Sequence, residues 1–406
     1  MSTCCILGLG YIGLPTAVVL ARAGHRVIGV DVNSEVVAKV NQGIIHIVEP
    51  DLDEAVASVV ASGTLFAQVV PAPADVFIIA VPTPFRISTQ HIPQPNIDYV
   101  LEAARSISPY LRPGNLVLLE STSPVGTTEQ MANEISRYCG FNHDQIDIAY
   151  CPERVLPGRI LRELISNDRV IGGLTSSAAD AGHKFYTSFC KGKILKTTAR
   201  TAELVKLSEN AFRDVNIAFA NELSIVCEDF GVNVLDLIEL ANHHPRVNIL
   251  RPGCGVGGHC IAVDPWFIAS AAPDCTHLIQ AARHVNDAKS RWVIEQVQLR
   301  AGALQLQLGR PVRIGCLGLS FKPDVDDLRQ SPALHITTEL LLAGLDVIAC
   351  EPNLLEHPTI NLHSLQTVLA EADLLVFLVA HSPFKGLPLE GKSVFDLCGV
   401  TQPSGL

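Results

Sequence analysis

The first part of the chain alternates between short apolar runs and a glycine-rich turn. Residues 3–31 read "TCCILGLGYIGLPTAVVLARAGHRVIGVD". The runs "CCIL" and "RVIGV" have the length of strands, and the segment between them has the length of a helix that ends at a glycine. The pattern therefore predicts a strand, a tight turn, a helix and a second strand, the opening of an α/β domain.

More strand-length runs follow at "DVFIIAVPTP", "LVLLESTSPVG", "IDIAYCPERV" and "RVIGG", and helical stretches separate several of them. This alternation predicts a parallel sheet covered by helices. Thr83, Thr122 and Glu153 lie just past three of these runs. In open α/β sheets that edge is where ligands collect, so we expect these side chains near a bound ligand.

The pattern becomes helical from Thr201 to about residue 308, and strand–helix alternation resumes after Pro311. A helical middle cannot complete a parallel sheet, so it is expected to connect two domains and to support a subunit interface. We predict two Rossmann-like doubly wound α/β domains joined by a long-helix central domain. The expected boundaries are 1–200 for nucleotide binding, 201–308 for the centre and 309–406 for the second α/β domain.

The first turn carries a dinucleotide-binding pattern. Gly8, Gly10 and Gly13 form G-x-G-x-x-G, and Asp31 closes the second predicted strand eighteen positions after Gly13. Such glycines allow a tight turn, close approach of a pyrophosphate and close helix–strand packing. A carboxylate at the Asp31 position accepts hydrogen bonds from a ribose hydroxyl and repels a 2′-phosphate, so the pattern predicts NAD rather than NADP.

Composition narrows the class of protein. The 406 residues are 48% hydrophobic and 17% charged, with a formal net charge of −11. These values predict a globular protein and argue against nucleic acid or an anionic membrane as partner. The twelve cysteines include no C-x-x-C pair, and the chain shows no signal peptide or membrane-length apolar run. We expect reduced thiols and a cytoplasmic location.

Two groups of residues outside the glycine turn are candidates for chemistry. Lys206, Asn210 and Arg213 are spaced to share one helix face, which is either a wall of a site or a solvated polar stripe. Cys260 lies in "GVGGHCIAVDP", where it is a nucleophile, a metal ligand or a structural thiol. No second Cys/His pair has ligand spacing, so we predict no metal. A nucleophilic thiol beside NAD fits oxidation of an aldehyde through a thiohemiacetal and a thioester.

Several blocks of this sequence resemble one family in the same order along nearly the whole chain. They include "LGLGYIGLP", "ESTSPVGTTE", "CPERVLPG", "KLSENAFRDVNIAFANEL", "HPRVNILRPGCGVGGHCIAVDPWF" and "GLSFKPDVDDLRQSP". These blocks resemble the nucleotide-sugar 6-dehydrogenases of the UDP-glucose/GDP-mannose dehydrogenase family. The resemblance implies a four-electron oxidation of a UDP-sugar at C6 to a carboxylate, with NAD as the cofactor.

The resemblance also implies roles for individual residues. Cys260 is implied as the nucleophile and Lys206 as general acid/base and oxyanion partner. Asn210 and Asp264 are implied to position that lysine and a water, and Glu153 is a candidate base for hydrolysis. The glycine motif and the resemblance together predict cofactor contacts at Gly8, Gly10, Tyr11, Ile12, Gly13, Asp31, Thr83, Thr122 and Arg329. Implied substrate contacts are Arg154, Val155, Lys206, Asn210, Arg213, His244, Arg246, Gly257, Phe321 and Lys322.

The same resemblance bears on assembly and substrate. The arginine at the Arg246 position comes from the neighbouring subunit in the family, so a homodimer is implied. The segments "IHIVEPDL", "RVNIL" and "VDPWF" most resemble members that convert UDP-N-acetyl-D-mannosamine into UDP-N-acetyl-D-mannosaminuronate, a polysaccharide precursor. UDP-N-acetylglucosamine and UDP-glucose remain open as substrates. A two-electron 3-hydroxyacid-type dehydrogenase and a catalytically silent NAD- or UDP-sugar-binding regulator are the alternatives from other classes.

Overall fold

The computed structural model describes residues 1–86, 92–141, 145–258 and 260–401. The chain divides into two compact units, Met1–Ser208 and Glu209–Leu406. Each unit contains its own β-sheet with helices on its faces, so the α/β fold class expected from the sequence is confirmed. Within the described ranges no helix combines the length and apolarity needed to cross a membrane.

The first unit is built on an eight-stranded sheet. Its strands are β1 (Thr3–Leu7), β2 (Arg26–Val30), β3 (Leu65–Gln68), β4 (Val76–Ile79), β5 (Leu116–Leu119), β6 (Asp147–Tyr150), β7 (Arg169–Gly173) and β8 (Ile194–Thr198). Its helices are α1 (Gly13–Arg22), α2 (Ser34–Asn41), α3 (Leu52–Ala61), α4 (Asp98–Ile107), α5 (Thr127–Cys139), α6 (Ile160–Ser166) and α7 (Ser176–Tyr186). Helix α8 (Ala199–Phe230) begins in this unit and ends in the second.

The strand order in this sheet is β3-β2-β1-β4-β5-β6-β7-β8. The chain changes direction across the sheet between β1 and β4, which places the topological switch point beside the glycine turn that follows β1. The expectation of a parallel sheet is wrong at one pair, because β6 and β7 are antiparallel. Strand β7 is buried along its whole length, and full burial removes the alternation that marks many antiparallel strands.

Helix α1 shows why the opening segment folds as the pattern predicts. All residues from Gly13 to Ala21 are buried, so this helix is apolar on every side and packs inside the unit. Gly24 follows the helix with φ +89°, the left-handed conformation that ends helices at glycine. The amide of His25 then bonds back to the Leu20 carbonyl at 3.1 Å and directs the chain into β2.

The second unit contains a smaller sheet and the helices that precede and cover it. The helices that precede the sheet are α9 (Val234–Asn242), α10 (Asp264–Ala271) and α11 (His277–Leu308). The sheet region contains β9 (Arg313–Leu317), α12 (Pro332–Leu342), β10 (Asp346–Cys350), α13 (Leu365–Glu371), β11 (Leu374–Phe377) and β12 (Ser393–Asp396). The strand order is β10-β9-β11-β12, and every pair is parallel.

Buried polar residues hold the helices of this unit together. Asp214 on α8 and Arg283 on α11 form an ion pair at 2.6 Å, with both side chains almost fully buried. Asn286 donates to the same carboxylate at 2.8 Å and accepts a bond from Asn221 at 2.9 Å. Removing one member of such a pair leaves a buried charge without compensation, at a cost of about 3–5 kcal/mol. These contacts therefore fix α8 against α11.

Candidate active site

The glycine turn after β1 has the close packing that the dinucleotide pattern requires. Gly8 has φ +89°, and a Cβ there would lie 2.5 Å from the Ala80 carbonyl oxygen. A Cβ on Gly13 would lie 1.8 Å from the Gly8 carbonyl oxygen. Neither position accepts a side chain without moving backbone. A Cβ on Gly10 would meet nothing within 4 Å among the described residues, so their packing does not require this glycine, and its small size leaves room for a ligand.

Asp31 is fixed beside this turn by backbone donors. Its Oδ2 accepts a hydrogen bond from the Leu9 amide at 3.0 Å, and its Oδ1 accepts one from the Asn33 amide at 2.9 Å. The carboxylate therefore stands at the end of β2 next to the glycine loop, where a ribose hydroxyl of a bound dinucleotide is expected. The residues present fit NAD at this edge.

The other predicted cofactor residues of the first unit lie around the same edge. Ile12 is the N-cap residue of α1, and Tyr11 before it is 39% exposed. The Thr83 hydroxyl donates to the Thr122 carbonyl at 2.6 Å, which joins the loops after β4 and β5. Helix α8 supports the second loop, because buried Glu203 accepts hydrogen bonds from amides that surround the start of α5, including that of Gly126 at 2.6 Å. Arg329, the remaining predicted cofactor contact, belongs to the second unit and pairs with Asp327 at 2.6 Å.

Glu153 lies in a buried ion pair that the sequence did not indicate. The Arg169 guanidinium donates to its Oε1, and the two side chains are only 5% and 6% exposed. Arg169 also donates to the Leu164 carbonyl at 3.0 Å and stacks 4.7 Å from the ring centroid of Tyr186. Burial alone would lower the pKa of Arg169. The nearby negative charge of Glu153 outweighs this effect and raises the pKa well above its ordinary value. The arginine is thus a permanent cation that orients the Glu153 carboxylate.

A second carboxyl group lies behind this pair. Glu120 is 2% exposed, and its Oε1 accepts a hydrogen bond from the Tyr186 hydroxyl at 2.5 Å. Burial, followed by the charge of Glu153, raises the pKa of Glu120 to about 7. The two acids of this buried cluster therefore have different partners, an arginine for Glu153 and a tyrosine for Glu120. A carboxyl whose pKa is raised towards neutrality is a feature of many proton-transfer sites.

Predicted catalytic residues of the second unit lie on and beside the segment that contains Cys260. This residue is exposed, and its carbonyl accepts bonds from Val263 at 3.1 Å and Asp264 at 2.9 Å in the turn that leads into α10. Asp264 is the first residue of α10 and is 2% exposed. Its Oδ2 accepts a hydrogen bond from the Asn210 side-chain amide at 2.5 Å. Two of the predicted catalytic residues of this unit are therefore in direct contact.

The glycines before Cys260 allow close packing against a loop of the second sheet. A Cβ on Gly258, which has φ +82°, would lie 2.8 Å from the Phe321 ring. A Cβ on Gly257 would lie 2.4 Å from the Gln330 carbonyl oxygen. The Gly258 amide also donates to the Arg329 carbonyl at 3.2 Å. Side chains at these positions would push the cysteine segment away from Phe321, so the glycines bring two predicted contact residues, Gly257 and Phe321, together.

Exposure separates Cys260 from most of the other thiols. Of the twelve cysteines, Cys260 and Cys275 are exposed, whereas the others are buried or half-buried. Burial raises the pKa of Cys254, six residues before Cys260, to about 12, and its thiol contacts the Leu378 carbonyl at 3.5 Å. A buried thiol with a raised pKa is a poor nucleophile. Cys260 is accessible to a ligand and lies beside predicted site residues.

The remaining predicted residues are divided between the two units. In the first unit, Arg154 donates to the Asp168 carbonyl at 2.5 Å, and Lys206 on α8 is 7% exposed. Val155 packs against a small apolar cluster of Val19, Ile160 and Leu164. In the second unit, Arg213 on α8 is exposed, and Lys322 lies 5.6 Å from the Phe321 ring. His244 and Arg246 follow α9 in a loop closed by Asn242, whose side chain accepts from the Ile249 amide at 2.7 Å.

Asparagines that the sequence analysis did not select hold the segment between α9 and Cys260. Asn216 on α8 donates to the Asn248 carbonyl at 3.0 Å and accepts from the Leu250 amide at 3.0 Å. Asn221 accepts from the Gly253 amide at 2.9 Å. Asparagine is a poor helix former, so its recurrence on α8 was a signal that these side chains bond outside the helix. Among the described residues, no group of three or more His, Cys, Asp or Glu side chains is arranged to hold a metal ion.

Comparison with protein families gives three matches that follow one another along the chain. Residues 2–190 match the NAD binding domain of the UDP-glucose/GDP-mannose dehydrogenase family. Residues 200–288 match the central domain of that family, and residues 315–403 match its UDP binding domain. The matches cover the glycine turn, α8, Cys260 and the Phe321 loop.

Individual relatives match over almost their full length. An NDP-N-acetyl-D-galactosaminuronic acid dehydrogenase of Ralstonia nicotianae is 50% identical over 98% of this chain and 96% of its own. A UDP-N-acetyl-D-mannosamine dehydrogenase of Escherichia coli (strain K12) is 50% identical over 98% of this chain and 99% of its own. The solved UDP-N-acetyl-mannosamine dehydrogenase of Staphylococcus aureus is 41% identical, with a TM-score of 0.89 over 99% of this chain and 96% of its own.

These comparisons confirm the resemblance, the cofactor and the enzyme class expected from the sequence. The glycine turn with Asp31 fits NAD, and the UDP binding domain match accounts for the second sheet. The chain belongs to the UDP-glucose/GDP-mannose dehydrogenase family and is an NAD-dependent oxidoreductase that acts on UDP-sugars.

Proposed function

We propose that this enzyme oxidises UDP-N-acetyl-D-mannosamine at C6 to UDP-N-acetyl-D-mannosaminuronate in a four-electron reaction with Cys260 as nucleophile. The observation that carries the four-electron reaction is the exposed thiol of Cys260 on a glycine segment packed against Phe321. An enzyme that only interconverts an alcohol and a carbonyl has no need of such a thiol. Support for the sugar comes from relatives named for UDP-N-acetyl-D-mannosamine at about 50% identity.

The proposed chemistry balances without any further reactant. The C6 alcohol is first oxidised to an aldehyde, and the Cys260 thiolate adds to the aldehyde carbon to form a C–S bond. The second oxidation turns this thiohemiacetal into a thioester, and water then breaks the C–S bond to give the carboxylate and the free thiol. NAD accepts a hydride in each oxidation. One alcohol, two NAD⁺ and one water give one carboxylate, two NADH and three protons.

The residues of the chain have distinct proposed roles in these steps. Lys206 acts as general acid/base for the alcohol and as a donor to the oxyanion. Asn210 and Asp264 position the lysine and the water, a role supported by their mutual hydrogen bond at 2.5 Å. Glu153 is the candidate base for hydrolysis, because the buried ion pair with Arg169 orients its carboxyl group. In that step Glu153 would accept a proton from the water as the water attacks the thioester.

Binding of the UDP-sugar requires cations in an acidic protein. The proposed contacts with the two phosphates and the new carboxylate are Arg154, Arg213, Arg246 and Lys322, with Val155, His244, Gly257 and Phe321 completing the set. Arginine suits this task because its planar fork binds anions with two parallel hydrogen bonds. NAD is proposed to contact the glycine turn and the loops after β2, β4 and β5, with Asp31 as the ribose acceptor.

We propose that the enzyme is a homodimer and that Arg246 completes the neighbouring subunit's site. Helix α8 carries an exposed apolar stripe at spacings of seven, seven and four residues: Phe212 (68% exposed), Phe219 (52%), Val226 (41%) and Phe230 (78%). Four large apolar side chains on one helix face favour burial against a second copy. The division into domains 1–200, 201–308 and 309–406 is likewise proposed, with the middle one forming this interface.

The substrate is tested by a comparison of kcat/KM among UDP-sugars at saturating NAD. The panel contains UDP-N-acetylmannosamine, UDP-N-acetylglucosamine, UDP-glucose and UDP-N-acetylgalactosamine, the last because one relative is named for N-acetyl-D-galactosaminuronic acid. We expect kcat/KM for the mannosamine compound to exceed the others at least about tenfold, since a misplaced or missing acetamido group leaves polar groups of the site unpaired. A higher value for any other sugar overturns the proposed substrate.

A further inference from the structure

His381 is a buried histidine in the second unit that the proposed mechanism does not use. The residue is 0% exposed and follows β11, and its ring packs edge-on against Phe384 at 5.4 Å. Both ring nitrogens have polar partners. Nε2 lies 3.1 Å from Glu351 Oε2 and 3.2 Å from the Ser320 hydroxyl. Nδ1 lies 2.9 Å from the Asp324 amide and 3.1 Å from the Asn353 side-chain amide.

The hydrogen-bond partners of the two ring nitrogens define the tautomer of His381. A backbone amide only donates, so Nδ1 must accept from Asp324 and carries no hydrogen. Nε2 therefore carries the hydrogen and donates it to the Glu351 carboxylate, because a neutral imidazole has one donor and one acceptor. The ring thus links a fixed carboxylate on one side to a loop amide on the other.

Glu351 occupies the place in the second sheet that Asp31 occupies in the first. Each carboxylate follows the second strand of its α/β unit, β10 or β2, and accepts from the amide two residues past the end of the first strand. The bond from Leu319 to Glu351 is 2.7 Å, and that from Leu9 to Asp31 is 3.0 Å. Glu351 differs from Asp31 because its carboxylate also accepts a hydrogen bond from the imidazole of His381.

The loop held by His381 is the one that carries Phe321 and Lys322. The Ser320 hydroxyl, 3.2 Å from Nε2, donates to the Lys322 carbonyl at 2.8 Å. Asp324, whose amide donates to Nδ1, has φ +59°, a conformation that residues other than glycine adopt rarely. Its carboxylate accepts from the Ser382 amide at 2.8 Å, which adds a second contact beside the histidine. The imidazole therefore contacts the loop on both sides of Phe321 and Lys322.

We propose that His381 is a positioning residue for UDP-sugar binding, holding the loop with Phe321 and Lys322 in the conformation that binds the nucleotide. The proposal rests on the function proposed above, in which these two residues contact the UDP-sugar. Its expected consequence is selective: loss of the Nδ1 acceptor weakens UDP-sugar binding, whereas NAD binding, which depends on the glycine turn of the first unit, stays unchanged.

Two variants of the full-length chain separate positioning from general stability. His381→Asn places a side-chain oxygen near the position of Nδ1 and keeps an acceptor for Asp324, whereas His381→Phe keeps a ring against Phe384 and removes both polar contacts. Titration calorimetry with UDP-N-acetylmannosamine in the absence of NAD measures Kd. We expect Kd to rise about tenfold or more in the phenylalanine variant, since the Asp324 amide loses its acceptor, and to stay within about threefold of wild type in the asparagine variant.

Kinetics and NMR add measurements that would not change if His381 contributed only to the overall stability of the protein. KM for the UDP-sugar should rise in His381→Phe more than kcat falls, with KM for NAD unchanged. The ¹⁵N spectrum of wild type should contain a neutral histidine signal with hydrogen on Nε2 that is absent from His381→Asn. A wild-type Kd in His381→Phe, or an equal loss in both variants, overturns the proposal.

If His381→Phe fails to fold, His381→Gln replaces it, because glutamine reaches Glu351 but offers no acceptor at the Nδ1 position. The His381→Asn variant should then bind the UDP-sugar at least about fivefold more tightly than the His381→Gln variant. Equal affinities of the two variants overturn the proposal. Lys322→Ala distinguishes this result from failure of the proposed function. A wild-type Kd in Lys322→Ala, or no UDP-sugar binding by wild type, would show that the loop does not contact the substrate.

Discussion

The side-chain amide of Asn210 on α8 donates a hydrogen bond to the carboxylate of Asp264, the first residue of α10, at 2.5 Å. Both side chains are buried, and Asp264 lies four residues after Cys260. A buried carboxylate needs such a donor, and negative charge is stabilised at the N-terminus of a helix. The bond therefore fixes the start of α10 and, with it, the turn that carries the proposed nucleophile.

Replacement of Asp264 by asparagine should lower kcat at least about tenfold, because a neutral amide no longer positions the lysine and the water. The free energy of unfolding should fall by about 1–3 kcal/mol, since the buried Asn210 amide loses a charged acceptor. Steady-state kinetics and urea denaturation measure the two effects. Asp274→Asn, at an exposed acid beyond α10, is the matched control, and a wild-type kcat in Asp264→Asn would refute the positioning role.

Asp31→Ser should raise KM for NAD about tenfold and reduce the preference for NAD over NADP. Removal of the carboxylate deletes an acceptor for the ribose hydroxyls and a source of repulsion for a 2′-phosphate. Initial rates with both cofactors measure the change. The exposed acid Asp53 provides the control variant Asp53→Ser. An unchanged ratio of kcat/KM for the two cofactors would show that Asp31 does not contact the ribose.

Glu120 should make the pH dependence of stability run opposite to that of an ordinary carboxylate. Burial raises its pKa from 4.5 to about 7, so between these pH values the native state holds a proton that the unfolded state has lost. The stability that this proton contributes is fully present below about pH 4.5 and is lost as pH rises towards 7. Glu120→Gln keeps a neutral side chain at every pH.

The comparison is made by urea denaturation of wild type and Glu120→Gln at pH 5 and pH 8. The variant's free energy of unfolding, relative to wild type, should be higher at pH 8 than at pH 5. Glu102→Gln, at an exposed position on α4, should show no such difference. A Glu120→Gln effect that is equal at both pH values would mean that Glu120 is already ionised at pH 5.

Phe219→Asp should convert the proposed dimer into a monomer, because a charge in the centre of the α8 stripe opposes burial of that face. Sedimentation velocity measures the mass, and activity should fall with dissociation if Arg246 acts in the neighbouring site. Leu355→Asp is the control, since Leu355 is an exposed apolar residue that lies outside the stripe. If Phe219→Asp formed a dimer with the same dissociation constant as wild type, the subunit interface would lie elsewhere.

Local patterns predicted the parts of the fold and site that depend on neighbouring residues. The glycine turn and the end of α1 at a glycine follow from spacing and turn chemistry, and the structure shows both. The direction of β7 did not follow, because a fully buried strand has the same apolar pattern in parallel and antiparallel pairs.

Contacts between distant residues were beyond such patterns. Arg169 is sixteen positions from Glu153, and Tyr186 is sixty-six from Glu120. A charged residue at the start of "RVIGG" is the ordinary sign of an exposed strand end, whereas Arg169 is buried against two aromatic rings. Only the folded sheet brings these groups together, so their pairing could not be read from spacing.

The central claim is the four-electron reaction, and the ratio of NADH formed to UDP-N-acetylmannosamine consumed tests it most directly. The assay uses limiting UDP-sugar and excess NAD, with Cys260→Ser beside wild type. The account predicts two NADH per sugar for wild type and no uronate from Cys260→Ser, although that variant still binds the UDP-sugar. One NADH per sugar, or undiminished uronate formation by Cys260→Ser, would contradict it.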